Sequence, residues 1–132
     1  MQDTKARGIG DEPWPNEIRV LDEGRTLRIA YDDDAAYALS AELLRVRSPS
    51  AEVQGHGPGQ RTTQFGKRNV AITEIVPTGN YAVRLLFDDH HSTGIYSFAY
   101  LHELAVNRET KWRAYLDELK EKGLARDALS KA

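Results

Sequence analysis

Leu27-Arg28-Ile29-Ala30-Tyr31-Asp32-Asp33 and Val83-Arg84-Leu85-Leu86-Phe87-Asp88-Asp89 follow one pattern, written twice in the same chain. In each, apolar residues alternate at period two, as in a strand with one buried face. An Asp pair then ends the strand, because adjacent carboxylates repel and Asp bonds its own backbone in turns. Each unit continues with a few turn residues, an aromatic (Tyr37, Tyr96), a serine suited to cap a helix (Ser40, Ser97) and an apolar helical stretch, Leu43-Leu44 or Tyr100-Leu101. Two strand–turn–strand–helix units are expected, as a true internal repeat or as two instances of a common pattern.

Working outward, Ile18 and Val20 alternate with Arg19 and form a hairpin with Leu27 and Ile29 across Asp22-Glu23-Gly24. A short strand over Ala36–Leu39 leads through Ser40 into a helix from Ala41 to Val46, which Pro49 limits. Residues 48–69 show no period and read as one long irregular loop, functional or mobile. Val70, Ile72 and Ile75-Val76 make a strand that ends at the turn Pro77-Thr78-Gly79-Asn80. Farther on, Trp112, Tyr115, Leu116 and Leu119 recur at spacings of three and four, with Asn107 as N-cap, Gly123 as stop, and Glu109/Arg113 and Glu118/Lys122 as side-chain pairs. The expected fold is α+β: a mainly antiparallel sheet of about five to six short strands, two short helices and one longer C-terminal amphipathic helix. Residues 1–16 read as a flexible lead-in, 17–122 as the domain and 123–132 as a C-terminal tail.

The chain has 132 residues, 18 Lys and Arg against 20 Asp and Glu for a net charge of −2, and 40% apolar, 8% aromatic and 29% charged residues. Those values describe one soluble globular domain. With no cysteine, a disulfide framework, a thiolate metal site and a cysteine nucleophile are excluded. No apolar run reaches the roughly 18 residues of a membrane span, and Met1–Arg7 lacks a secretory apolar core, so the expected location is cytoplasmic. Near-zero charge argues against a general nucleic-acid or membrane binder. Leu44–Asn69 is locally basic, with Arg45, Arg47, Arg61, Lys67 and Arg68 against Glu52. Its only aromatic is Phe65, whereas single-strand binders interleave several, so a solvated loop is the expectation.

The candidate chemistry gathers around histidine. Asp89-His90-His91 follows the clearest strand, where a loop presents side chains from a rigid support. A metal reading combines His91 with His56 and an oxygen from Glu52 or Asp89, for zinc or iron. No H-x-x-x-H or H-E-x-x-H spacing enforces it, and turn or surface histidines are the plainer reading. His102 reads as a packing or surface residue. A hydrolase reading takes Ser48 or Ser50 as nucleophile, His91 as base and Asp89 as orienter, without the G-x-S-x-G elbow. Gly55-His56-Gly57-Pro58-Gly59 matches neither phosphate-loop pattern, and Pro58 removes a backbone donor.

Two segments together resemble a known family. Leu44-Arg45-Val46-Arg47-Ser48-Pro49-Ser50-Ala51-Glu52-Val53, followed by Gly55-His56-Gly57, and Phe87-Asp88-Asp89-His90-His91-Ser92-Thr93-Gly94-Ile95-Tyr96-Ser97 with Tyr100-Leu101 are similar to the gamma-butyrobetaine hydroxylase-like N-terminal domain. The resemblance spans about residues 17–122, and in bacteria the domain mostly stands alone as a small protein of unknown function. In the hydroxylases it precedes a 2-oxoglutarate and Fe(II)-dependent catalytic domain, and a related domain is appended to an iron–sulfur-handling ATPase. The resemblance implies a structural zinc held by three Cys, in Leu-Arg-x-x-Cys-Pro-Cys-x-x-Cys, and one His. Those positions fall here on Ser48, Ser50, Val53 and His91, so a Cys3His zinc site is expected to be absent, with the two serines hydrogen-bonding in its place. Oxygenase activity does not transfer, because its metal ligands belong to the other domain.

The sequence thus leads to a non-enzymatic binding or adaptor module, tied to iron or iron–sulfur metabolism by family analogy alone. Its expected binding surface is Ser48, Ser50, Glu52, His56, Asp89, His90 and His91, facing a protein partner. No cofactor, membrane or nucleic acid is expected, and the chain is expected to be a monomer or weak homodimer. The alternatives are an Fe- or Zn-binding protein using His91 and His56, and an accessory subunit of a 2-oxoglutarate-dependent oxygenase.

Overall fold

The structure is a computed structural model that describes residues 14–55 and 59–127. The lead-in over 1–13, His56 and the end of the tail, 128–132, lie outside the described residues. Among the described residues, six strands form two antiparallel three-stranded sheets. The first orders β1 (Pro15–Leu21), β2 (Thr26–Tyr31) and β3 (Ala36–Ser40); the second orders β4 (Ile72–Thr78), β5 (Ala82–Phe87) and β6 (Gly94–Ser97). The helices are α1 (Ala41–Val46), α2 (Ala51–Gln54), α3 (Phe98–Val106) and α4 (Arg108–Lys122).

The two quoted stretches are the central strands of the two sheets. In β2 and β5 every second residue is buried, so Leu27, Ile29 and Tyr31, and Val83, Leu85 and Phe87, enter one continuous core with Leu44, Tyr96, Leu101 and Leu104. The repetition extends to the register. Pairs Thr26↔Ser40 and Leu27↔Leu39 are matched by Ala82↔Ser97 and Val83↔Tyr96. The irregularity between Pro15 and Glu17 is matched by one between Ile72 and Glu74. The turns agree as well: Tyr31 N donates to Ala35 O and Asp34 N to Tyr31 O, as Phe87 N does to His91 O and His90 N to Phe87 O. Asp34 and His90 both hold positive φ, 69° and 73°. Each half is β-β-β-α, with Ser40 accepting from Leu43 N and Ser97 from Tyr100 N at the helix starts.

Four local expectations shift. Strand β1 begins at Pro15, two positions ahead of Glu17, and Trp14 lies against Tyr81 and Phe98 at ring distances of 5.3 and 5.4 Å. Pro77 falls inside β4 rather than in the turn after it. Since β4 is an edge strand, a residue without an N–H is tolerated there. The irregular segment 48–69 contains one helical turn, α2, closed by Gly55 at φ 75°. Asn107 makes no forward cap for α4; its Nδ2 donates back to Glu103 O, because this residue also closes α3 as its C-cap and lacks the extended backbone of an N-cap. Gly123, at φ 68°, ends α4 with backbone bonds from Gly123 N and Leu124 N.

Candidate functional site

After α1 the chain makes the tight stretch Ser48-Pro49-Ser50 before α2, and after β5 it makes the bend 88–93; the two are packed together. Ser48 Oγ lies 2.9 Å from His91 Nε2 and Ser50 Oγ 3.4 Å from the same nitrogen. The two hydroxyls are 3.2 Å apart, and Ser50 N donates to Ser48 Oγ at 3.3 Å. On the other edge of the ring, Nδ1 is 3.1 Å from Glu52 Oε1, which also accepts from Thr93 Oγ1. With Nδ1–H donated to the carboxylate, Nε2 accepts from one serine hydroxyl, and the second hydroxyl is joined to the first. Glycine at position 94 makes the approach possible, since a Cβ there would lie 2.5 Å from Ser48 Oγ.

A second layer holds the bend. Asp89 Oδ2 accepts from Arg45 Nε at 2.8 Å and Lys67 Nζ at 2.6 Å, while its Oδ1 accepts from His91 N. Burial pushes the Asp89 carboxyl upward, but the two cations outweigh it and hold the group at about 2. Burial lowers the His91 pKa from the ordinary imidazole value; Arg45 and Lys67 push the same way and Glu52 and Asp89 oppose them. The Tyr96 hydroxyl donates to Leu44 O beside this layer, fixing α1 to β6.

Ser48–His91–Glu52 therefore has the connectivity of nucleophile, base and orienting carboxylate, with Glu52 in the place expected for Asp89. It is buried. Ser48 is 0% exposed and His91 6%, and the Gly94 backbone lies against the Ser48 hydroxyl. Ser48, Ser50 and His91, expected on a binding surface, are buried because their polar atoms satisfy one another inward. Glu52 remains outside, its side chain 65% exposed, and His90 is exposed as well.

Among the described residues no group of three His, Asp or Glu side chains is placed to hold an ion. The imidazole nitrogens of His91 face Glu52 and the serines, and Asp89 is bound to Arg45 and Lys67; His56 lies outside the described residues. A Cys3His zinc does not fit the residues present: two hydroxyls and the hydrocarbon of Val53, 1% exposed, occupy the three thiolate positions.

The basic stretch is likewise used internally. Besides the two cations on Asp89, Arg61 bonds Glu118 through both terminal nitrogens and Arg68 pairs with Asp127. His102 packs edge-on against the rings of Tyr31 and Tyr37. Sequence reasoning named Lys67 only as part of a basic stretch and Thr93-Gly94 only within a family segment; it gave them no role in the site, because those roles exist only through partners far along the chain. No helix among the described residues is long and apolar enough to cross a membrane.

Comparison with known proteins places the family and the overall fold. The family model described as gamma-butyrobetaine hydroxylase-like, N-terminal, matches residues 18–102. A protein with an NMR solution structure is 43% identical, with TM-score 0.77, over 92% of this chain and 96% of its own. A second NMR structure is 42% identical at TM-score 0.77, over 94% and 92%. A crystal structure of a protein of unknown function, from the DUF971 family of Acidithiobacillus ferrooxidans, is 36% identical at TM-score 0.53, over 69% of this chain and 91% of its own. Among curated proteins nothing matches.

Proposed function

The chain belongs to the gamma-butyrobetaine hydroxylase-like N-terminal domain family, and on that footing we propose that it is a non-enzymatic binding module for another protein. The observation that carries the reading is the closure of Ser48–His91–Glu52. Its hydroxyl is fully buried, so this constellation staples the segment after α1 to the bend after β5 and does not react. The staple holds α1 in a fixed position through Arg45–Asp89 and Tyr96–Leu44, and a rigid scaffold of this kind suits recognition. The family resemblance extends the proposal to a partner in iron or iron–sulfur metabolism, an extension that rests on analogy.

Affinity capture from a native lysate, followed by reconstitution of each retained protein from purified components, tests the proposal. A saturable complex with the wild-type chain, and no turnover in hydrolase and oxygenase screens, is the expected result. Turnover that Ser48→Ala abolishes, or the lack of any saturable protein complex, would overturn it.

A further inference from the structure

An open groove of about 580 Å³ runs between α4 and the corner where β3 passes into α1. Its floor is apolar: Leu39 and Leu43 on one side, Trp112 and Leu116 on the other. This floor is the surplus of an amphipathic helix. Tyr115 and Leu119 fill the core, but Leu116, on the same apolar stripe, is left 37% exposed. Most of a small molecule's surface would stay wet in a groove so open, whereas a peptide segment can lie along it.

The rim carries Arg108, Arg113 and Arg126 against Glu42 and Glu109, and two of the arginines are already ordered. Arg126 donates to both Glu42 oxygens, at 3.0 and 2.7 Å, and its guanidinium lies 4.9 Å from the centre of the Trp112 ring. Arg108 lies 5.3 Å over Tyr37 and donates to Ala105 O at 2.7 Å. Arg113, also in the lining, is exposed and has no ion pair among the described residues. Glu42 is 5% exposed and taken up by Arg126, which leaves Glu109 as the free acid of the lining against Arg108 and Arg113. A guanidinium held by stacking and a backbone bond loses little freedom when it receives a carboxylate. Arg108 and Arg113 are five positions apart on one helix, or about 7.5 Å along its axis. They also stand about 140° apart around that axis, so they flank the Trp112–Leu116 stripe on its two sides and suit carboxylates on either side of an apolar anchor.

We propose that this groove receives an acidic peptide segment of a partner protein, its aliphatic or aromatic side chain seated on Trp112 and Leu116 and its carboxylates on Arg108 and Arg113. The inference rests on the binding-module reading and names its site. One wall of the groove is α1, whose other end the serine–histidine staple anchors, so the staple positions the site without touching the ligand.

The test is selection of random displayed peptides of about twelve residues on the intact chain, with an Arg113→Glu/Leu116→Arg variant for counter-selection. Both substitutions are on exposed positions, and the variant's amide spectrum checks that it is folded. Expected are enriched peptides with two or more acids around an apolar anchor, weakened about tenfold or more by the variant and by raised salt. Their amide shifts are expected to map to 38–43 and 108–116. Enriched peptides that are basic or neutral, that bind the variant equally, or that shift residues elsewhere would overturn the groove assignment while leaving the binding-module reading intact. So would failure to enrich any peptide while a partner protein still binds the variant. Binding to phosphatidylserine vesicles in place of any peptide or protein would overturn both.

Discussion

Ser48 Oγ and His91 Nε2, 43 positions apart in the chain, are 2.9 Å apart in the fold. This contact joins the segment after α1 to the bend after β5, and it and its surroundings have four measurable consequences.

The resemblance to the hydroxylase domain implies zinc thiolates at positions 48, 50 and 53, facing His91. Ser48 and Ser50 Oγ are 3.2 Å apart and both face one imidazole nitrogen, while Val53 is buried within the same short segment. A Ser48→Cys/Ser50→Cys/Val53→Cys variant is expected to bind one equivalent of zinc, measured by elemental analysis, and to give the thiolate charge-transfer bands of tetrahedral cobalt on substitution. Zinc at a thousand times its Kd is expected to stabilise this variant by about 4 kcal/mol, reversibly with chelator. No metal retention by the refolded variant would show that the segment does not close around an ion.

Gly94→Ala places a methyl 2.5 Å from Ser48 Oγ and 3.0 Å from a Tyr96 ring carbon. A loss of about 1–3 kcal/mol in urea unfolding is expected. Pairing it with Ser48→Ala removes the nearer clash, so the double variant is expected to lose less than the sum of the two singles. Simple additivity would place the strain elsewhere.

Burial lowers the His91 pKa in the folded chain, so the folded state binds fewer protons there than the unfolded state. The stability from neutral His91 is present above about pH 6.5 and is lost as pH falls through the lower folded value. Asp89 and Glu118 have lowered pKa values, so their contributions are lost at lower pH than that of His91, from the ordinary carboxylate range downward, to about 2 for Asp89. Between about pH 6.5 and 4.5, wild type is therefore expected to lose melting temperature faster than His91→Gln. Parallel curves for the two proteins across that interval would remove His91 as the cause.

Asp89→Asn leaves Arg45, 9% exposed, and Lys67, 20% exposed, facing each other without a carboxylate. A cost of about 2–3 kcal/mol at neutral pH is expected, below the fully buried case because Asp89 itself is partly wet. Equilibrium unfolding measures it, and the difference from wild type is expected to vanish near pH 2, where the native carboxyl takes up its proton.

Much of this protein was decided within a few neighbouring residues. The period-two runs 27–31 and 83–87, the caps Ser40 and Ser97 and the stop at Gly123 are fixed by local sterics and backbone bonding, which a sequence displays directly. The matched serine and histidine positions of the family segments also marked which residues meet. Tertiary structure decided what the sequence leaves open: that His91 is sealed while Glu52 stays outside, that Glu52 and not Asp89 holds the ring, and that Leu116 lines a groove while Tyr115 fills the core. Periodicity tells which side of an element is apolar. Which neighbour covers that side, and which polar atom finds which partner across dozens of residues, depends on how the elements pack.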